Sequence, residues 1–295
     1  MIPIDFSGKV ALVTGVGDNQ SFAWFIAKAL QAAGARLIFA SHPRMVNIVQ
    51  MLLESDKPDD VAARKLPFVG GELKPEMVLA CDVRFDTMDD VDEKTKNDRR
   101  FNKHGDFTIK GMLEQVAPKY GHIDMLLHSV AFSAEIKKRM VETSRAGYLE
   151  ALSISSYSLT ALARACEPYM ANRPDGAGII GLSYLGGARV VPHYGGGMST
   201  AKAALEIDAK QLAHNLGSKG IRVNIISAGP YASRAASAIG DMDQMINYAA
   251  QRSPLPRGIT PEEVANASVF LFSPLASAIS GHVLYVDCGY NVMGV

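Results

Sequence analysis

Tyr184, Tyr194 and Lys202 are the residues of this chain best suited to chemistry on a polarised oxygen. They fall in one stretch, residues 178–202. It opens as a short apolar strand at 179–182, breaks at Ser183 and Tyr184 into a glycine-rich loop, and enters a predicted helix carrying Lys202. A phenol donates a proton or hydrogen bond to a developing oxyanion, and a nearby ammonium makes that easier. Ligands of open α/β sheets sit at the carboxyl ends of strands, where this stretch would deliver both phenols and the amine. The same residues also suit two half-buried surface tyrosines and a solvated lysine. The elements that position them decide between these readings.

Residues 9–14 form an apolar run expected to be a strand buried on both faces. Gly15-Val-Gly-Asp-Asn-Gln follows, then an amphipathic helix with Ser21 as N-cap, apolar residues at Ala23, Ile26, Ala27 and Leu30, and Gly34 as its end. Residues 36–41 form the next strand. Strand, glycine turn, helix and strand make one βαβ unit, whose turn faces a helix N-terminus that favours a pyrophosphate. The full G-x-G-x-x-G is absent: position 20 is Gln, and Ala23 and Phe25 occupy later positions that glycine could fill. If a pyrophosphate binds there, Phe25 must point away from it.

Further on, residues 45–53 read as a helix and 57–75 as a loop. Residues 77–81 form a strand ending at Asp82-Val83, where an Asp can meet the adenine edge of a dinucleotide or serve only as a turn residue. Residues 86–100 carry both charge signs densely and read as a solvated surface segment. Thr108 caps a helix with Ile109, Met112, Leu113 and Val116 on one face. A strand at 124–129, a long helical stretch at 143–170, a helix at 198–216, a strand at 221–227, a helix starting with Pro261 at its first turn and a strand at 283–287 complete the pattern. Strands and helices alternate throughout. The expected fold is one doubly wound, Rossmann-type α/β domain over residues 1–295, with a mostly parallel sheet of about seven strands and helices on both faces.

Composition narrows the function. Formal net charge is zero and no basic run could track phosphates, so no nucleic acid is expected. The seven histidines form no H-x-x-x-H or Cys/His cluster, so no metal is expected. Cys81, Cys166 and Cys288 lie far apart and read as buried thiols of a reducing compartment. No apolar run reaches membrane-spanning length. The N-terminus lacks a signal pattern, so the expected location is the cytoplasm, or a plastid for a mature protein with its transit segment removed.

The whole chain resembles the short-chain dehydrogenase/reductase superfamily and, within it, the enoyl-[acyl-carrier-protein] reductases of the subgroup with an extended insert. The residues that carry this are 191–206 (Val-Pro-His-Tyr-Gly-Gly-Gly-Met-Ser-Thr-Ala-Lys-Ala-Ala-Leu-Glu), 227–240 beginning Ser-Ala-Gly-Pro-Tyr-Ala-Ser, 273–281 (Ser-Pro-Leu-Ala-Ser-Ala-Ile-Ser-Gly), and 142–149. Most superfamily members have Tyr-x-x-x-Lys. Here seven residues separate Tyr194 from Lys202, with a second tyrosine at 184. The segment 84–107 is similar to the subgroup's insert.

The resemblance implies reduction of a trans-2-enoyl thioester on acyl carrier protein by NADH, with NADPH left open, in a homotetramer. It implies that Tyr194 hydrogen-bonds the thioester oxygen, Lys202 holds the nicotinamide ribose and Tyr184 lines the acyl site. It further implies that Gly15, Ser21, Phe22, Asp82, Val83, Ser129, Val130, Ala131, Ala228, Gly229, Pro230 and Ser233 contact the cofactor, and that 229–257 forms a substrate-binding loop and helices. The chain departs from the family at Phe22, where tyrosine is common, at Ala23, Phe25 and His193, where glycines are common, and at His42 and Arg44, where Trp and Pro are common. Neither Gly181-Leu-Ser-Tyr-Leu nor Gly197-Met-Ser-Thr-Ala fits the G-x-S-x-G of a serine hydrolase. Two alternatives stay open: a ketone or alcohol dehydrogenase of the same superfamily, and a non-catalytic dinucleotide-binding sensor.

Overall fold

A computed structural model describes residues 4–233 and 242–294. Strand β1 (Val10–Thr14) leads into helix α1 (Phe22–Ala32), where the Ser21 side chain accepts from the Trp24 backbone N–H and Gly34 turns the chain at φ +99°. Strand β2 (Arg36–Ser41), helices α2 (Val46–Glu54) and α3 (Pro58–Arg64), and strand β3 (Met77–Ala80) follow. Short helices α4 (Glu93–Lys96) and α5 (Arg99–Asn102) precede α6 (Ile109–Tyr120), with Thr108 accepting from Gly111 N–H, and strand β4 (Met125–His128). Helices α7 (Arg145–Leu152) and α8 (Ser158–Met170) are joined by a wider π-type turn at 153–157. Then come β5 (Ala177–Tyr184), α9 (Met198–Gly217), β6 (Ile221–Ala228), α10 (Met242–Arg252), α11 (Pro261–Phe272) and β7 (Val283–Val286).

The seven strands form one all-parallel sheet in the order β3-β2-β1-β4-β5-β6-β7. Residues alternate between its two faces, and both are dry, which is why the strands read as continuous apolar runs. Val10, Leu12, Leu126, Ile179 and Val223 pack with α6, α8 and α9; Ala11, Val13, Leu127, Ile180 and Ile226 pack with α1 and α11. The order reverses between β1 and β4, opening a crevice at their carboxyl ends. No helix among the described residues is long and apolar enough to cross a membrane.

Four expectations need correction. Residues 57–75 are not all loop, because Pro58 starts α3 at its first turn, followed by Asp59 and Asp60, while buried Arg64 at its end donates to Leu52 O, Ser55 O and Glu72. Residues 86–100 are not merely solvated: Val91 is buried, and with Phe85, Phe101 and Phe107 it belongs to a separate small core beside β3. Strand β5 runs two residues further than the apolar run, because Ser183 and Tyr184 still pair with Ser227 and Ala228. Cys288 is only partly buried, whereas Cys81 and Cys166 are buried, and all three thiols are free.

Candidate active site

The crevice holds two cavities, of about 480 and 420 Å³, that share Gly15, Val130, Ala131 and Phe132. The larger spans the ends of β1, β4, β5 and β6. It brings together Gly15, Ser21, Phe22, Ser129, Val130, Ala131, Tyr184, Tyr194, Lys202, Ala228, Gly229, Pro230 and Ser233. Asp82 and Val83 line the second, toward β2 and β3, together with His42, Arg44 and Arg84. Of the segment 229–257, Gly229, Pro230, Tyr231 and Ser233 line the larger cavity together with Met242 and Met245 of α10; residues 234–241 lie outside the described residues.

Gly15 makes the crevice possible. Its φ is +78°, and a Cβ there would drive into the Ser129 carbonyl, so a side chain would push β1 away from the loop after β4. That loop is tied to the glycine-rich loop after β5: Ser133 Oγ donates to Gly196 O at 2.7 Å, Gly195 N to Ile136 O at 3.2 Å and Gly196 N to Lys138 O at 3.1 Å. His193 is exposed at φ +67°, a left-handed conformation that costs a side chain some strain. Phe25 lines neither cavity; its ring packs with the α1 face core, and Lys28 Nζ lies 5.5 Å from its centroid.

The two phenols meet here. Tyr184 closes β5 and Tyr194 sits on the loop, with ring centroids 5.0 Å apart and planes at 67°. Gly186 leaves room for this pair, since a Cβ would lie 2.6 Å from the Tyr194 ring. Neither hydroxyl makes a hydrogen bond among the described residues. Burial raises both phenol pKa values well above the ordinary range, so both are neutral donors at physiological pH.

Lys202 projects from α9 onto the same wall. It is 5% exposed, and its Nζ donates to the Leu182 carbonyl at 2.7 Å. Burial lowers its pKa to about 8, against an opposing pull from the Glu206 charge. Glu206 lies one helical turn along α9 and accepts from Ser183 Oγ at 2.5 Å; burial raises its pKa. Behind this wall lies His128, fully buried at the end of β4. Ser158 Oγ donates to Ile154 O at 2.6 Å, so the imidazole Nε2–H donates to Ser158 Oγ at 2.7 Å. Burial, and then the Lys202 charge, push His128 down to about 3 and keep it neutral.

In the second cavity Asp82 is 2% exposed. Burial alone would raise its pKa, but the His42 imidazole 3.6 Å away and the hydrogen-bonded Arg84 guanidinium outweigh burial and bring it down to about 2. Arg84 Nη2 donates to Oδ2 at 2.6 Å and Nε to Oδ1 at 3.1 Å.

Sequence reasoning missed His128, Ser158 and Glu206, along with the apolar lining from Phe132, Ile136, Met198 and Tyr231. Two signals were present: a histidine ending the apolar run Met125-Leu-Leu, and a glutamate four residues after Lys202 on one helix face. Nothing in the spacing marked Phe132, Ile136 or Met198 as lining.

A family model described as Enoyl-(Acyl carrier protein) reductase matches residues 99–291. The chain is 45% identical over 295 residues to the Enoyl-[acyl-carrier-protein] reductase [NADH], chloroplastic, of Arabidopsis thaliana, covering 100% of this chain and 74% of that protein. It superposes on the Plasmodium berghei enoyl-acyl-carrier-protein reductase crystallised with triclosan at a TM-score of 0.90 and 39% identity, covering 97% of this chain and 98% of that one. The Anaplasma phagocytophilum enoyl-(acyl-carrier-protein) reductase in complex with NAD gives a TM-score of 0.80 at 34% identity, covering 98% and 96%.

Proposed function

Because the chain belongs to the enoyl-(acyl carrier protein) reductase family, we propose that it reduces the trans-2 double bond of an enoyl thioester carried on acyl carrier protein, with NADH as reductant. One observation carries this: two neutral phenols stacked edge to face, with a buried lysine on the same wall of a crevice at the sheet's switch point.

The residues present suit a dinucleotide. Gly15 clears the turn in front of α1, whose first N–H groups favour a pyrophosphate. Phe25 stays out of the cavity, and the two adjoining cavities give room for both nucleotide halves. Gly15, Ser21 and Phe22 would hold the pyrophosphate side, Asp82 and Val83 the adenine side, and Ser129, Val130, Ala131, Ala228, Gly229, Pro230 and Ser233 the nicotinamide side. The reduced nicotinamide supplies the hydride when bound.

Hydride arrival at the β-carbon pushes negative charge onto the thioester oxygen. Tyr194 donates a hydrogen bond to that oxygen, in a dry site where one such donor contributes about 2.7–4 kcal/mol in the transition state. Lys202 keeps donors beyond the one it spends on Leu182 O, and these hold the ribose hydroxyls. Tyr184 packs against Tyr194, fixes its ring and lines the acyl path. Glu206 and Ser183 brace the strand end beneath Tyr184. Family likeness alone extends the proposal to a homotetramer, located in the cytoplasm or, like the Arabidopsis relative, in a plastid.

The test is NADH oxidation followed with a crotonyl thioester beside a 3-ketoacyl thioester. Turnover of the enoyl substrate alone is expected. Turnover of the ketone alone would refute the proposal in favour of a ketone reductase, and cofactor binding without turnover of either would favour a sensor. Sedimentation at micromolar concentration tests the tetramer.

A further inference from the structure

The adenosine-ribose end of a dinucleotide site is read by the residues just after the second strand, where an acid meets a 2′-hydroxyl and an arginine a 2′-phosphate. Here β2 runs into Ser41-His42-Pro43-Arg44, with no carboxylate at 40–44. His42 and Arg44 line the second cavity, on the same crevice as Asp82 and Val83. The nearby acid, Asp82, is already engaged by Arg84.

Arg44 is placed by the 84–107 segment. Its guanidinium lies 5.3 Å from the Phe101 ring centroid, and Asp98 Oδ2 is 3.7 Å from its Nη2. The loop beneath it is pinned by His104 on Pro43 O at 3.1 Å, and the start of α2 just after it by Lys103 donating to Asn47 at 2.9 Å. Asp98 itself sits closer to Arg100, at 2.7 Å. The Arg44 guanidinium makes no hydrogen bond among the described residues, and its side chain is 50% exposed. It is thus held over the cavity by stacking and a long, exposed ion pair, an interaction of little strength that a phosphate can displace. A guanidinium offers two parallel N–H groups that match phosphate oxygens.

We propose that Arg44 forms a 2′-phosphate subsite, so that the protein accepts NADPH as well as NADH. This rests on the dinucleotide site argued above. The insert then has a role in cofactor choice: Phe101 presents Arg44, and Asp98 competes with the phosphate for it.

Calorimetry of the whole protein with ADP and with 2′,5′-ADP tests this. The wild type is expected to bind 2′,5′-ADP at least as tightly as ADP. Arg44→Ala is expected to weaken 2′,5′-ADP about tenfold relative to ADP, the scale of one charged hydrogen bond. Asp98→Asn keeps a side-chain acceptor at the α5 cap but removes the competing charge, and is expected to shift the ratio toward 2′,5′-ADP. Wild-type binding of ADP with 2′,5′-ADP tenfold or more weaker would overturn the subsite and leave the dinucleotide site standing. So would an affinity ratio that Arg44→Ala does not change. If neither probe binds, the dinucleotide site itself fails and the inference falls with it.

Discussion

Tyr194→Phe separates catalysis from folding unusually cleanly. The ring is 8% exposed, packed against Tyr184 and over Gly186, and phenylalanine keeps all of that volume. The hydroxyl makes no hydrogen bond among the described residues, so removing it strands no protein partner. Stability should therefore hold, with Tm within about 2 °C of wild type, since volume-conserving swaps cost little. The rate should not hold. If the hydroxyl meets the thioester oxygen only as charge develops there, its loss removes about 2.7–4 kcal/mol, or about 10²–10³ in kcat. Because the interaction forms in the transition state, kcat and kcat/KM should fall together with KM nearly constant. Steady-state kinetics with an enoyl thioester at saturating NADH, beside a thermal melt, measures both. Tyr184→Phe is the control and should cost less or act mainly on KM. A Tyr194→Phe enzyme with raised KM and unchanged kcat would refute the oxyanion role. A larger loss for Tyr184→Phe would exchange the two assignments.

Three other outcomes follow from the same wall of the crevice. Lys202→Met should weaken NADH binding by about tenfold or more while the melt moves little, read by calorimetry, because a charged donor to the ribose is lost; in the wild type, affinity should fall as pH rises through about 8, where Lys202 loses its proton. His128 is held neutral, with a folded pKa of about 3 against 6.5 for an ordinary histidine. The unfolded chain therefore binds the extra proton, and stability should fall as pH drops from about 6.5 toward 3, at about 1.36 kcal/mol per pH unit within that window. His128→Gln should flatten that part of the Tm-versus-pH curve, and an unchanged slope would show that other groups set it. Gly15→Ala should lower Tm and abolish measurable cofactor binding, since the new methyl meets the Ser129 carbonyl in a left-handed conformation; a variant that binds NADH normally would contradict the fit at that turn.

Local chemistry made much of this protein legible. The run Arg36–Ser41 announced a strand because six consecutive residues can be buried on both faces, and the observed bounds match. Ser21, Thr108 and Pro261 marked helix starts because capping depends on residues adjacent in the chain. The motifs around Tyr194 and Lys202 pointed to the family, whose fold and reaction class the comparisons support. Helix α3 was hidden because glycine, proline and charge around 57–75 outweighed a short, weakly apolar segment whose anchor, Arg64, bonds to backbone carbonyls nine and twelve residues away. The small core of Val91, Phe101 and Phe107 was hidden because each apolar residue stands alone among charges.

Only the tertiary structure decided the strand order, the 67° contact between two tyrosines ten residues apart, and the burial that raises those phenols' pKa values and lowers that of Lys202. It also set His128 against Ser158, thirty residues away, and brought Arg44 over Phe101. The reason is physical. Caps and strand runs are settled by interactions within a few residues, whereas strand pairing, side-chain meeting and desolvation depend on which distant segments pack together, and the pKa values follow from that packing.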